Sequence, residues 1–384
     1  MMERIKPNYY DRFTCIADKC TFTCCQEWKI AVDNETNRKW KKKYPPQEVK
    51  VQRKNLSAYT TKKNGGRVIR LDEEHKCLFL SENRLCRLVS AYGDSVLSET
   101  CTVFPREVHR FETHEEEVLM PCCPAVIDLW AEEENVVFPE VPENGRNLRT
   151  MIREKMMEMF RNKEQSIEET LLESFYILLE LYQAEQEDTL SEERIENYFS
   201  REAVKELKTA ILAIDLPFLD TMDECNELLQ DLAVNYLKKG LYEEYLEPLI
   251  TQAEQLSEMA EDLLLSKWDA FCLQLEAFYP LLRSFLANEM YSDLLAPDDT
   301  CTEHMLVRLQ WTAIQYAAIR QALFLTYLSK DKGILSYESV RQALVILTRM
   351  TGYEEEDIYE YLENSFESLL WDFGYLAFIM GSSL

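Results

Sequence analysis

The apolar residues of this chain change their spacing part-way along it. From about residue 147 they recur every three or four positions, as in Ile167, Leu171, Leu172, Phe175, Leu178, Leu179 and Tyr182, which is the stripe of an amphipathic helix. Ser166-Ile167-Glu168-Glu169 reads as a capping box at the start of that helix. Thr221-Met222-Asp223-Glu224 reads as a second, on a helix ending at Lys238-Lys239-Gly240, where cations occupy the last turn and glycine follows. Thr300-Cys301-Thr302-Glu303 opens a long third helix that runs through Trp311, Ile314, Ala318 and Leu325 to a stop at Lys332-Gly333. Ser336 to Phe373 holds two more, and Pro248 and Pro280 are expected to break or kink the helices around them. No strand pattern follows residue 141, and only nine glycines serve 384 residues, so the C-terminal two-thirds is expected to be all-α.

The first 130 residues are patterned differently. Arg67-Val68-Ile69-Arg70-Leu71, after the turn signal Asn64-Gly65-Gly66, reads as a short strand, and Val118 to Met120 as another. Cys77 to Leu88 reads as an irregular hairpin with a cysteine near each end. Ser98 to Arg106 reads as a turn, because Pro105 cannot occupy a helix interior. The basic run from Arg38 to Pro46 is read as the exposed end of a helix followed by a Pro-Pro turn, in preference to a nucleic-acid contact. The Pro/Glu-rich stretch from Glu132 to Pro142 separates the two regimes. The expected architecture is therefore mainly α: a cysteine-rich, irregular N-terminal domain over 1–135 with a few short strands, then an acidic all-α domain over 145–384.

Charge follows the same division. Residues 1–130 carry 22 Lys/Arg against 19 Asp/Glu, whereas 131–384 carry 20 against 50, within a net charge of −27. A field of that sign disfavours nucleic acid and anionic membrane and would attract a cationic, lysine-bearing partner, although solvation of the helices is by itself a sufficient cause of the charge. The N-terminus shows no apolar h-region, and no run approaches the roughly 18 apolar residues of a membrane span. A cytoplasmic protein is expected.

The cysteines add chemistry. Nine of the twelve lie in the first 123 residues, beginning with Cys15-x4-Cys20-x3-Cys24-Cys25. In a reducing compartment such clustering points to metal or redox chemistry before disulfides. Thiolates suit zinc and iron–sulfur clusters, which take four ligands each. The adjacent pair Cys24-Cys25 fits one mononuclear zinc poorly, since neighbouring side chains diverge; a cluster, two centres, or one ligand with a bystander remain. Cys301-x2-His304 reads as a core pair. His75, beside Cys77, and His109, near Cys101, are candidate outer-shell groups or simple loop histidines. Arg106, after Phe104-Pro105, can hold a carboxylate or form a surface ion pair.

Taken in order, Cys15-x4-Cys20-x3-Cys24-Cys25, Gln26-Glu27-Trp28-Lys29-Ile30, Cys77, Arg84-Leu85-Cys86-Arg87, Thr100-Cys101-Thr102-Val103-Phe104-Pro105-Arg106 and Cys123-Pro124 resemble the flagellin lysine-N-methylase family. This N-terminal region also resembles small cysteine-rich proteins grouped as zinc or iron chelators. The motifs lie within residues 10–125; the helical remainder agrees with the family in length and character. The resemblance implies methylation of lysine ε-amino groups on flagellin with S-adenosylmethionine as donor. It further implies a 4Fe–4S cluster, with zinc as the alternative, held among Cys15, Cys20, Cys24, Cys25, Cys77, Cys86, Cys101 and Cys123. The family has one cysteine before the proline where this chain has Cys122-Cys123, and Cys123 is taken as its equivalent. Neither the C-x3-C-x2-C spacing of radical S-adenosylmethionine enzymes nor a Gly-rich strand-to-helix turn is present. Two other classes stay open: a redox iron–sulfur protein, and a zinc-stabilised interaction scaffold without enzymatic activity.

Overall fold

Helices begin where local side chains answer the free N–H groups of a first turn. Ser166 Oγ accepts from Glu169 N at 3.0 Å while the Glu169 carboxylate accepts from Ser166 N at 3.3 Å, so the expected capping box forms. In the computed structural model, which describes residues 2–63, 65–133, 135–213, 216–256, 258–297, 301–330, 333–352, 355–366 and 373–381, the chain is mainly α-helical. The N-terminal third contains strands β1 (Glu3–Ile5), β2 (Thr60–Lys63), β3 (Gly66–Ile69), β4 (Arg106–Arg110) and β5 (His114–Leu119), with short helices α1 (Asn34–Trp40), α2 (Arg87–Tyr92) and α3 (Glu99–Val103) and then α4 (Pro124–Glu132). Helices α5 (Leu148–Arg161), α6 (Ile167–Gln186), α7 (Glu192–Tyr198), α8 (Arg201–Ile211), α9 (Phe218–Leu237) and α10 (Glu243–Leu256) follow. The series ends with α11 (Glu261–Leu275), α12 (Tyr279–Asp293), α13 (Thr302–Ser329), α14 (Tyr337–Thr351), α15 (Glu355–Phe366) and α16 (Phe373–Met380).

By contacts the chain forms two units: 1–10, 108–118 and 130–384 in the larger, 11–107 and 119–129 in the smaller. In the larger, β1 pairs in parallel with β5, Arg4 opposite Glu115. Helix α13 is buried on nearly all sides and packs against α6, α9, α10 and α14. Among the described residues no strand follows β5, as the apolar spacing anticipated.

Several sequence expectations are corrected. The helix expected to start at Thr221 starts three residues earlier, behind Pro217; Thr221 is buried inside it and its hydroxyl donates to Pro217 O at 3.1 Å. A proline just before the first turn, followed by apolar Phe218, outcompetes the Thr-x-x-Glu pattern. Helix α13 is capped by Cys301, whose Sγ accepts from His304 N at 3.4 Å; Thr300 lies outside the described residues, as do Asn64 and Lys332. It ends at Ser329, where Lys330 turns extended. Helix α10 runs unbroken through Pro248: Glu244, whose carbonyl the missing N–H would have met, is exposed and can be solvated. Pro280 sits in the first turn of α12, where proline is tolerated. The stretch 98–106, expected as a turn, contains the helix α3, because Pro105 stands beyond its end rather than inside it.

Two fully buried polar networks run through the larger unit. In one, Glu168 Oε1 accepts from Tyr316 Oη at 2.7 Å and from Arg320 Nη1 at 3.1 Å. Arg320 also donates to the last carbonyls of α16, Ile379 O at 2.8 Å and Met380 O at 3.3 Å, and Cys225 Sγ donates to Ile379 O at 3.4 Å. A guanidinium thus satisfies orphan carbonyls at a helix C-terminus, where the dipole favours a cation. In the other, Arg153 donates through Nη1 to Glu116 Oε2 at 2.8 Å and through Nη2 to Glu116 Oε1 at 2.5 Å, and His114 Nε2 meets the same carboxylate at 3.0 Å. Burial pushes the Glu116 carboxyl upward, but Arg153 and His114 outweigh it and leave it below the ordinary range.

Glu168→Ala would leave Arg320 as an uncompensated buried charge. It should cost about 3–5 kcal/mol of stability, read as a lower urea midpoint with an unchanged slope.

Candidate metal centre

The smaller unit builds its core from Ile30, Val32, Trp40, Leu56, Tyr59, Ile69, Phe79 and Leu88, with Cys77 among them and Cys25, Cys86 and Cys101 packed against it. Trp40 donates its indole N–H to Val96 O at 2.7 Å and meets Phe79 edge-on at 5.8 Å. Regular structure is sparse because the backbone groups are answered by loop-to-loop bonds instead of long ladders.

Those bonds position the thiols. Cys77 N donates to Cys25 O at 2.7 Å and Glu27 N to His75 O at 2.8 Å, strapping the Cys24-Cys25 segment to the one before Phe79. Both Glu27 and His75 take left-handed backbone angles, φ 55° and 54°, to make that strap. Leu80 N donates to Cys77 O at 2.8 Å and Leu80 bridges to Cys86, so the expected hairpin with a cysteine near each end is present in irregular form. Arg84 Nη1 donates to Cys20 O at 2.9 Å, tying the first motif to this hairpin. Trp28, in the Gln26-Glu27-Trp28 block, packs edge-on against Phe104 at 5.4 Å.

Cys101 rides on α3, and the start of α3 is fixed by two side chains. Ser98 Oγ accepts from Cys101 N at 3.3 Å, and Asp33 Oδ2 accepts from Glu99 N at 3.1 Å while Asp33 Oδ1 caps α1 through Thr36 N at 2.7 Å. One carboxylate therefore caps two helices. Partial burial raises its pKa, but the N–H donors of Thr36 and Glu99 outweigh this and hold it at about 2. Asp33 is absent from the sequence-derived candidates, although Asp33-Asn34-Glu35-Thr36 carries an N-cap signature.

The thiols influence one another. The Cys25 thiol is pushed up first by its hydrogen bond with Cys24, then by burial, and further by Cys77 and Cys101. Burial raises Cys77, with contributions from Cys86, Cys101 and Cys24. Burial likewise raises Cys86, with Cys24 adding to it, and pushes Cys101 up to about 11, with Cys24 and Cys86 adding. Cys123 is pushed up to about 12 by burial, with Cys20 and Cys24 adding. Cys24, Cys25, Cys77, Cys86 and Cys101 thus share one neighbourhood, and Cys24 links it to Cys20 and Cys123. Cys15 is exposed, its Sγ accepting from Ala17 N at 3.5 Å. Cys122 is buried. Arg106 lies at the start of β4 with its guanidinium 5.0 Å from the Phe13 ring centre. His75 serves the strap through its carbonyl, His109 lies in β4, and His304 is buried on α13 in the larger unit.

The donor set fits a soft metal or an iron–sulfur cluster in kind and in number, with at least five thiols in one neighbourhood. Cys25, Cys77, Cys86 and Cys101 are the members of this gathering whose ionisation is opposed; it is not a preformed cage, since among the described residues no three His, Cys, Asp or Glu side chains stand at metal-holding separation. A metal would have to draw the sulfurs in.

Comparisons with known proteins address the other part of the chain as well. A family model described as the FliB lysine N-methylase C-terminal domain matches residues 153–379, more than half the chain. Flagellar biosynthetic protein FliU of Salmonella muenchen is 29% identical over 122 residues, 32% of this chain and 72% of that protein. Lysine-N-methylases of Salmonella typhimurium and Salmonella choleraesuis are 29% and 28% identical over 132 residues, again 32% of this chain but 30% of theirs. The chain therefore aligns with under a third of the length of these two lysine-N-methylases. No solved structure matches.

Two outcomes follow from this geometry. Asp33→Ala should cost about 1–2 kcal/mol by loss of its caps. Because Asp33 is held below the ordinary carboxyl range, its contribution is present above that range and lost as pH falls through about 2; the variant's stability should lack that acid limb. Alkylation of the metal-free protein at neutral pH, followed by mass spectrometry, should label Cys15 first and leave Cys77, Cys101 and Cys123 protected until denaturant is added.

Proposed function

The chain belongs to the FliB lysine N-methylase family, and from that membership we propose that it transfers methyl groups from S-adenosylmethionine to lysine ε-amino groups of flagellin, with a 4Fe–4S cluster held by its N-terminal thiols. The observation that carries the cluster is the gathering of Cys24, Cys25, Cys77, Cys86 and Cys101, brought together from four separate segments. When bound, such a cluster cross-links these segments and supplies one-electron chemistry. Cys20 and Cys123 flank it through Cys24, and Cys15, the exposed member of the set, completes the ligands proposed from the family pattern.

Transfer to an amine requires a deprotonated nitrogen, a sulfonium methyl aligned with its lone pair, and exclusion of water. Arg106 is the candidate for the donor's carboxylate, as a guanidinium pairs with it in bidentate fashion. The excess of 50 Asp/Glu over 20 Lys/Arg across 131–384 supplies an attractive field for a lysine-bearing face of the substrate. The similar FliU, a flagellar biosynthetic protein, supports flagellin as that substrate. Among the described residues no helix is long and apolar enough to cross a membrane.

Protein purified without oxygen should be brown, contain iron and sulfide, and methylate flagellin when given S-adenosylmethionine. Cys24→Ser should lose both colour and methylation, whereas Cys15→Ser should lose less of each. Methylation should weaken as salt rises, because exposed charges are screened. A colourless, zinc-bearing protein that binds flagellin without modifying it would overturn this reading.

A further inference from the structure

The smaller unit carries a face whose charge is opposite to that of the rest of the chain. Between residues 38 and 70, twelve Lys and Arg stand against a single carboxylate, Glu48. The inner sides of α1 and β3 and the turn before β2 supply Trp40, Leu56, Tyr59 and Ile69 to the core, so most of these cations are directed to solvent. Some are engaged: Lys39 pairs with Glu35 at 2.9 Å, Lys43 lies over the Tyr92 ring at 4.7 Å, and Arg70 Nε donates to Thr60 O at 3.2 Å.

Lys62 and Lys63 differ. Both are exposed at the tip of the β2–β3 hairpin, Lys62 opposite Arg67 and Lys63 opposite Gly66, and no described residue pairs with their ammonium groups. Gly65, at φ +75°, closes the turn beside them. Lysines on an exposed strand ordinarily keep it from pairing with another chain. Here they also stand in a cationic stretch of chain, at the turn of a hairpin, in a chain whose other part is acidic. That combination matches the substrate that the proposed enzyme would take: an accessible lysine on a cationic face, attracted by the acidic surface of 131–384.

We propose that Lys62 and Lys63 are methyl acceptors, modified by a second copy of this chain. The inference rests on the methyltransferase reading given above. The lysine ammonium first loses a proton to solvent, and its nitrogen lone pair then attacks the methyl carbon of the S-adenosylmethionine sulfonium. The N–CH3 bond forms as the S–CH3 bond breaks, the bonding pair stays on sulfur, and the products are methyl-lysine and the neutral thioether.

The test uses the full-length protein, purified without oxygen and incubated with isotope-labelled S-adenosylmethionine, alone and with flagellin, followed by digestion and mass spectrometry. Label is expected on the peptide holding Lys62 and Lys63. Its rate per molecule should rise with protein concentration and fall with salt. The Lys62→Arg, Lys63→Arg double variant keeps the charge but cannot accept a methyl group from a lysine methylase. It should abolish that label while methylating flagellin as the parent does. Labelled flagellin with Lys62 and Lys63 unmodified overturns the inference and leaves the enzyme reading standing. Label on neither protein overturns both. Label on these lysines at a rate per molecule independent of concentration overturns the assignment to a second copy.

Discussion

Thiols gathered in one sheltered neighbourhood resist ionisation, and the smaller unit is built around that constraint. Sulfur atoms that repel one another as thiolates cannot themselves hold their segments together, so the segments must be fixed by other means. The backbone strap from Cys77 to Cys25, the left-handed turns at Glu27 and His75, and the double cap made by Asp33 do this. Each acts on main chain, through groups other than the sulfurs themselves. The donors are thereby brought into range of one another while remaining able to move toward a metal.

The larger unit meets the opposite problem. Its core is wide enough to bury full charges, and buried charges are tolerated only when every one is answered. Arg320 and Arg153 are each paired with a carboxylate and, in addition, with main-chain carbonyls, at α16 and at Tyr291. Both networks connect elements far apart in sequence: Glu168 to Arg320, and Glu116 to Arg153. They fix which elements lie beside which, α6 with α13 and β5 with α5, a specificity that apolar stripes alone leave open.

How much of this is legible in the sequence depends on how local the deciding contact is. The helices over 167–186 and 337–351 and the termination near Gly240 follow from caps and periodicity within a few residues. Thr221 misleads because a cap pattern is cheap to satisfy, and a neighbouring proline can claim the position instead. The gathering of thiols is suggested by their number and spacing. That Cys24 is their common neighbour depends on loop-to-loop bonds no local pattern encodes. Asp33 reaches Glu99 across more than sixty residues, and Glu168 reaches Arg320 across more than one hundred and fifty, so neither pairing has a sequence signature. Family membership was visible first in the cysteine blocks, whereas the matched family model covers the helical part.

The placement of residues 1–10 and 108–118 in the larger unit has a consequence for the chain as a polymer. With β1 paired to β5, the stretch 11–107 is an excursion whose two ends are both anchored. A segment tethered at both ends explores fewer conformations when disordered than one with a free end, so the entropy lost in ordering it is smaller. The unit poorest in regular structure is thus the one whose disordered state the connectivity restricts. A single cut within 11–107 would remove that restriction without cutting any of the helices α5 to α16.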